Sequence, residues 1–406
     1  MENRNVPKLR FKDDNENNYP DWEVKKLRDI LIEDLYPVDK PQKPYWKLSV
    51  RSHAKGTFST LVEKPEEVMM DTLYQVKPNQ LIVNITFAWE HAIAIVKESD
   101  LNKLVSHRFP TYKFNRGEYY KFYGYLIKQN RMKYNLSLAS PGGAGRNRVL
   151  NRKEFLEIEV ITPCLEEQTK IANFLSNVDK IIEEQEGKVK DLELYKKGMM
   201  QKIFKQEIRF KDDNGQYYPE WEETLLGDIS DVRDGTHESP KYVEEGYPLI
   251  TSKNLMKNGS IDYSNVNYIT ESDYININKR SEVEIGDILF GMIGTIGNPV
   301  LVDKKGFAIK NVALIKEKNE LKNIYLLVYL NSSLIREQFY KVNTGGTQKF
   351  IALNLIRNLK IQLPCLEEQT KIANFLSNID KIIEEENKKL EDLRQWKKGL
   401  LQQMFV

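Results

Sequence analysis

Twenty-two residues recur almost unchanged far along the chain. Pro163–Glu184 reads PCLEEQTKIANFLSNVDKIIEE, and Pro364–Glu385 reads PCLEEQTKIANFLSNIDKIIEE; the single change is Val178 to Ile379. A second block, RFKDDNENNYPDWE from Arg10, returns as RFKDDNGQYYPEWE from Arg209. Both repeats have an offset of about 200 residues, too long for a solenoid unit, so they mark duplication of a domain-plus-helix module. The 406-residue length accommodates two or three such domains.

Between the repeated blocks the halves differ. Lys25–Ile161 and Thr224–Gln362 share little beyond a tail, GGAGRNRVLN from Gly142 against GGTQKFIALN from Gly345. A frame that stays alike while its inserts diverge fits two different targets held by matching supports. Recombination that swapped one insert produces the same pattern and does not conflict with that reading. The RFKDDN block follows the first helix, yet its first copy opens the chain. The order is therefore cyclic, with Phe405 leading naturally towards Arg10, and it predicts a pseudo-two-fold arrangement.

Glu166–Phe204 contains no proline. Its apolar residues Ile171, Leu175, Val178, Ile182, Val189, Leu192 and Met199 recur at spacings of three and four, a heptad stripe. The second copy carries Ile372, Leu376, Ile379, Ile383, Leu390, Leu393 and Leu400, with Gln185 and Glu386 interrupting the two stripes. Pro163 and Pro364, each followed by a glutamate pair, predict helix starts. Each helix can pack on its own domain or on the other helix; the cyclic order favours an antiparallel pair. About 39 residues at ~1.5 Å each give roughly 58 Å.

Net charge is only +2, with 61 Lys and Arg against 59 Asp and Glu, so any basic surface must be local. The strongest local signal is Leu101–Leu150, which holds ten Lys or Arg and a single acid, Glu118, interleaved with aromatics. Arg108, Tyr112, Lys113 and Arg116 are candidate DNA contacts there, since phosphates call for positive charge and base edges for Arg and Asn. The Gly142 loop adds Arg146, Asn147 and Arg148, and its counterpart adds Thr347, Gln348 and Lys349. Either loop can also be a plain turn before a strand. In the second insert, Thr236 and His237 of Asp234-Gly235-Thr236-His237, and Ser252, Lys253 and Asn254, form polar islands after apolar strands and are candidate DNA contacts. Short β-runs such as Gly286–Gly291 alternate with helices such as Ile324–Phe339, which predicts an α+β class built from mixed α/β inserts.

Catalytic signatures are missing from the sequence. Gly291, Gly294 and Gly297 lack the acidic partner of a dinucleotide loop. There is no GxxxxGK[ST] loop and no Asn-Pro-Pro-aromatic motif; Asn298-Pro299-Val300 does not supply one. The four histidines show no zinc spacing. Cys164 and Cys365 occupy the same repeat position and read as packing residues, and two cysteines suit a reducing interior. With no signal-peptide core and no apolar run of membrane-spanning length, a cytoplasmic protein is expected. The chain reads as a binder without cofactor, metal or catalytic centre of its own.

The twice-repeated PCLEEQTKIANFLSN block opening a long helix resembles the conserved regions of type I restriction-modification specificity subunits. GDILFGMIGTIGN from Gly286 and GGTQKFI from Gly345 are similar to that family's target-recognition domains; the first insert lacks a visible DGTH equivalent. The resemblance implies two target-recognition domains separated by two long antiparallel coiled-coil helices. It assigns residues 1–23 to the frame, 24–161 to the first domain and 162–208 to the first helix. Residues 209–223 become a repeated connector, 224–362 the second domain and 363–406 the second helix. It further implies a non-catalytic subunit whose domains each read half of a bipartite asymmetric site in double-stranded DNA. Two modification subunits would carry S-adenosylmethionine, and two restriction subunits would use ATP and Mg. A stand-alone DNA-binding regulator or scaffold is the alternative from another class.

Overall fold

The computed structural model describes residues 6–142, 148–294, 296–318, 320–342 and 350–406, with the backbone alone for 340–342. They form two compact units, Met1–Gln185 with Lys389–Val406, and Glu186–Lys388. These units cut across the six sequence segments, because each takes one part of both long helices.

In the first unit, Glu23–Lys26 pairs antiparallel with Glu159–Thr162 and closes the insert at its base. Inside lies a four-stranded sheet in the order Leu31–Glu33, Thr111–Phe114, Leu81–Val83, Ile93–Ile95. The continuous apolar run Leu81-Ile82-Val83 is buried throughout, as a strand covered on both faces requires. Helices Tyr120–Leu126 and Asn130–Leu138 follow, then a short helix, Arg152–Leu156. A separate five-stranded sheet includes the hairpin Tyr45–Val50 and Thr57–Val62.

The second unit repeats this plan although its sequence barely matches. Glu222–Leu225 pairs with Lys360–Leu363. The four-stranded sheet runs Asp231–Asp234, Val312–Lys316, Ile288–Gly291, Gly297–Leu301, the same order. Gly286 turns the chain at φ 90° before the buried strand Ile288–Gly291. The helix expected over Ile324–Phe339 is two, Asn323–Leu330 and Ser333–Val342. They part where Asn331 bonds its side chain back to the Leu327 carbonyl, so the run of apolar residues continues while the helix does not. A second four-stranded sheet, with helix Glu271–Ser281, replaces the five-stranded one.

The long helices are Leu165–Phe204 and Leu366–Met404. Both expected packings occur together. In the first unit Ile171, Leu175 and Val178 share one core with Phe122 and Phe155 of the insert and with Leu400, Met404 and Phe405 of the second helix. In the second unit Ile372, Leu376 and Ile379 share a core with Tyr325 and Tyr329 and with Ile203 and Phe204. The first three stripe positions of each helix are therefore not a seam between two helices alone; they are also the seat of the insert. Ile182 and Ile383 flank these cores, Val189 and Leu390 are buried, and Leu192 and Leu393 are half-buried. The helices run antiparallel. Phe174 meets Trp396 edge-on at 6.3 Å and Asp179 pairs with Lys397 in the first unit. Lys196 pairs with Asp380, and Lys188 with Glu386 at 3.0 Å, in the second.

The repeated blocks meet in a buried latch. Arg10 donates to both carboxylate oxygens of Glu167, at 3.1 and 2.7 Å, and to the Tyr19 and Pro20 carbonyls. Trp22 donates its indole N–H to the same carboxylate at 3.2 Å. Arg209, Glu368 and Trp221 reproduce the arrangement, with Trp221 at 2.8 Å and Arg209 at 2.9 Å. The hydrogen bond to the carboxylate raises the pKa of each arginine above its ordinary value. Lys170 to Asp14 and Lys371 to Asp213 repeat as well. Part of the frame's near-identity thus answers to internal packing. No helix among the described residues is long and apolar enough to cross a membrane.

Candidate nucleic-acid interface

The first insert divides its sequence candidates. Strand Thr111–Phe114 turns Tyr112 inward, where it is 1% exposed against Phe155. Burial pushes the Tyr112 phenol up to about 12. Tyr112 is therefore a core residue and not a DNA contact, a correction with a simple cause: in a strand, alternate residues face opposite sides. Phe122, Tyr123 and Tyr125 are core as well, so much of the aromatic interleaving is packing. Even Glu118, the lone acid, is committed: it pairs with Lys25 at 2.9 Å and accepts hydrogen bonds from Tyr123 and Gln168.

The cations do not gather in one place. Arg108 is exposed beside Ile85, whose N–H donates to the Arg108 carbonyl at 3.0 Å. Lys113 and Arg116 are exposed towards the other end of the strand, where Lys113 lies 4.0 Å from Asp34 and Asn115 bonds to Ile30. Arg146 and Asn147 lie outside the described residues, as do Thr347, Gln348 and Lys349. Arg148 is engaged internally. Its guanidinium donates to the Ser137 carbonyl at 2.5 Å and the Ser140 carbonyl at 3.0 Å, and lies 5.5 Å from the Trp89 ring. It clamps the end of helix Asn130–Leu138, with these donors turned to the protein.

Both units tie the chain leaving that loop to the same place. Leu150 N–H donates to the Ile85 carbonyl at 2.8 Å, just past strand Leu81–Val83. Ile351 N–H donates to the Met292 carbonyl at 2.9 Å, just past strand Ile288–Gly291. Divergent sequences thus anchor Leu150 and Ile351 at equivalent strand ends.

In the second unit this edge is polar and tightly built. Gly235 approaches the Ile309 carbonyl so closely that a Cβ would lie 2.2 Å from its oxygen. Thr236 N–H donates to Ile309, and Asn311 N–H donates back to Thr236. His237 is exposed; its Nδ1 lies 2.8 Å from the Asn311 side-chain oxygen and its Nε2 lies 2.9 Å from Asp234. Those hydrogen bonds, Asn311 first and Asp234 second, raise the His237 pKa above its usual value. Arg280 pairs with the other oxygen of Asp234. Sequence reasoning named Thr236 and His237 but missed Asp234, Arg280 and Asn311. Asp234 was visible within the same tetrapeptide; Arg280 carried only the ordinary signal of a base in a helix's last turn.

The second polar island is mostly structural. Ser252 is buried and donates to the Asn311 carbonyl at 3.0 Å. Asn254 is buried, accepts from Thr251 N–H and donates to the Asp262 and Asn265 carbonyls. Both hold a turn together and are corrected from candidate DNA contacts to supports; Lys253 between them is exposed.

Comparison with known proteins agrees with this architecture. The family described as type I restriction modification DNA specificity domain matches twice, at residues 19–194 and 218–395. The type I restriction enzyme MjaVIII specificity subunit of Methanocaldococcus jannaschii is 26% identical over 413 residues, covering 94% of this chain and 91% of that one. The putative MjaX specificity subunit of the same organism is 25% identical, covering 94% and 92%. Among solved structures, the type I system S subunit of M. genitalium superposes with a TM-score of 0.56 at 16% identity, covering 99% of both chains. The HsdS subunit of Thermoanaerobacter tengcongensis gives 0.51 at 16%, covering 96% and 97%. Two matched domains, a duplicated latch and a shared sheet order on antiparallel helices lead to one conclusion: this chain belongs to the family of type I restriction-modification specificity subunits.

Proposed function

We propose that each insert reads one half of a bipartite, asymmetric site in double-stranded DNA. The supporting observation is that both units carry the same four-stranded sheet order yet present different side chains on the same edge. The antiparallel helices set the unread spacer and dock two modification subunits. Those subunits supply S-adenosylmethionine chemistry to an adenine taken out of the stack. Two restriction subunits add ATP- and Mg-dependent translocation and cleavage, and the assembly works in the cytoplasm. This chain itself contributes binding and orientation, not a reacting group.

Methylome sequencing of a host carrying the system should show adenine methylation at a split, non-palindromic motif. Methylation of a continuous palindrome would defeat the reading. Inserting one heptad into each long helix should lengthen the spacer by about 10 Å, or about three base pairs, with both half-sites unchanged. Altered half-sites around an unchanged spacer would show that the helices are not the ruler.

A further inference from the structure

In the second unit a chain of hydrogen bonds links Arg280, Asp234, His237, Asn311 and Ser252, and Ser252 Oγ accepts from Ile293 N–H at 3.5 Å. Ile293 in turn bridges to Phe350, the first described residue after the glycine loop. Helix Glu271–Ser281 is thereby connected to the edge that carries His237 and Lys253. The Arg280 side chain is 69% exposed, while the Asp234 carboxylate it pairs with is only 9% exposed. An almost buried acid with an exposed arginine on one oxygen and a half-exposed histidine on the other has the build of an orienting group.

We propose that Arg280 is a DNA-contacting, specificity-determining residue of the second half-site, that Asp234 is its positioning residue, and that His237 supplies a proton-dependent charge beside it. This rests on the DNA-reading function proposed above. Asp234 engages one guanidinium nitrogen, and the remaining donors, without a side-chain partner among the described residues, can meet an acceptor-rich edge of DNA. A guanine O6/N7 pair and a backbone phosphate share that chemistry. His237 has both ring nitrogens against oxygen acceptors, an arrangement that the doubly protonated imidazolium satisfies. Protonation changes the Asp234–Arg280–His237 cluster from neutral to singly positive. Other charges nearby are Arg233, which donates to the Arg280 carbonyl at 3.2 Å and pairs with Asp231, Lys310, which donates to Ser239, and the exposed Glu238. A polyanion therefore binds better when His237 carries its proton, and linkage requires that binding in turn hold the proton.

The test uses the complex purified through a tag on this full chain, with duplexes carrying its methylated split site. Arg280→Gln should weaken binding about 5- to 100-fold through the second half-site alone. Wild-type affinity should fall as the pH is raised and His237 deprotonates, at a higher pH than an ordinary imidazole would. Asp234→Asn should move that fall to lower pH, since the imidazolium loses its counter-charge, while scrambling the first half-site costs as much as in wild type. Arg280→Lys separates the two acceptors: loss of discrimination at one base pair identifies guanine, whereas wild-type specificity with wild-type salt dependence identifies phosphate. Unchanged affinity in Arg280→Gln, or an identical pH profile in Asp234→Asn, overturns the inference while leaving the split-site reading intact. A wild-type complex that selects no split site overturns both.

Discussion

Glu167→Ala should destabilise the first unit by about 3–5 kcal/mol, because it removes the buried carboxylate that accepts from both the Arg10 guanidinium and the Trp22 indole N–H. The Glu167 side chain is 0% exposed and that of Arg10 is 16% exposed. Removing the carboxylate therefore strands the Trp22 N–H and leaves Arg10 only the Tyr19 and Pro20 carbonyls and the exposed Asp21 at 3.7 Å, and the cost exceeds that of a surface ion pair. The duplication supplies an internal control. Hydrogen exchange should show lost protection around Trp22 and along the start of helix Leu165–Phe204. The equivalent Arg209–Glu368–Trp221 latch should keep its protection. Glu368→Ala should reverse the pattern. Because two units are present, local exchange is the proper readout and a single unfolding midpoint is not. Unchanged exchange at Trp22 would show that the latch adds nothing to stability.

The latch also marks where the sequence was and was not legible. The long helices could be read directly, since proline-free heptads with acidic first turns have few other outcomes. The repeat announced that two modules exist. It did not announce that Arg10 seeks Glu167, because periodicity carries no information about a pairing 157 residues apart. The inserts hid their kinship more completely. Their sheets have the same strand order, yet strands of three to five residues need only short apolar runs, which many sequences satisfy.

At the candidate interface, residue type alone misled in two ways. Tyr112 looked like a stacking aromatic among cations, but the strand's alternation sends it into the core and leaves Lys113 outside. Ser252, Asn254 and Arg148 looked like donors aimed at bases, but their hydrogen bonds end on backbone carbonyls of the same unit. A turn and a recognition loop draw on the same polar residues, and only the accounting of partners separates them. Asp234 shows the converse. It was named only as the first residue of a polar tetrapeptide and is the point at which His237 and Arg280 meet.

The cyclic order makes the other large prediction. Phe405→Ala, at the next-to-last residue, should destabilise the first unit by about 3–5 kcal/mol, as truncation of a buried Phe does. Phe405 is 9% exposed; its ring stacks on Phe122 at 5.4 Å and meets Trp22 edge-on at 6.5 Å. The last helical turn is tied to the N-terminal segment by the Leu9 N–H, which donates to the Gln403 carbonyl at 3.0 Å. The end of the second helix is thus part of the first insert's core, as Phe204 is part of the second's through Tyr329 at 4.9 Å. Protection should fall around Phe122 and Trp22, far from the substitution in sequence. Phe204→Ala should place the same loss at Tyr325 and Tyr329. Phe405→Leu should recover much of the stability, since it refills most of the volume without the ring contact. Fraying confined to the last turn, with Phe122 still protected, would mean that the C-terminal residues decorate the first unit without completing its core.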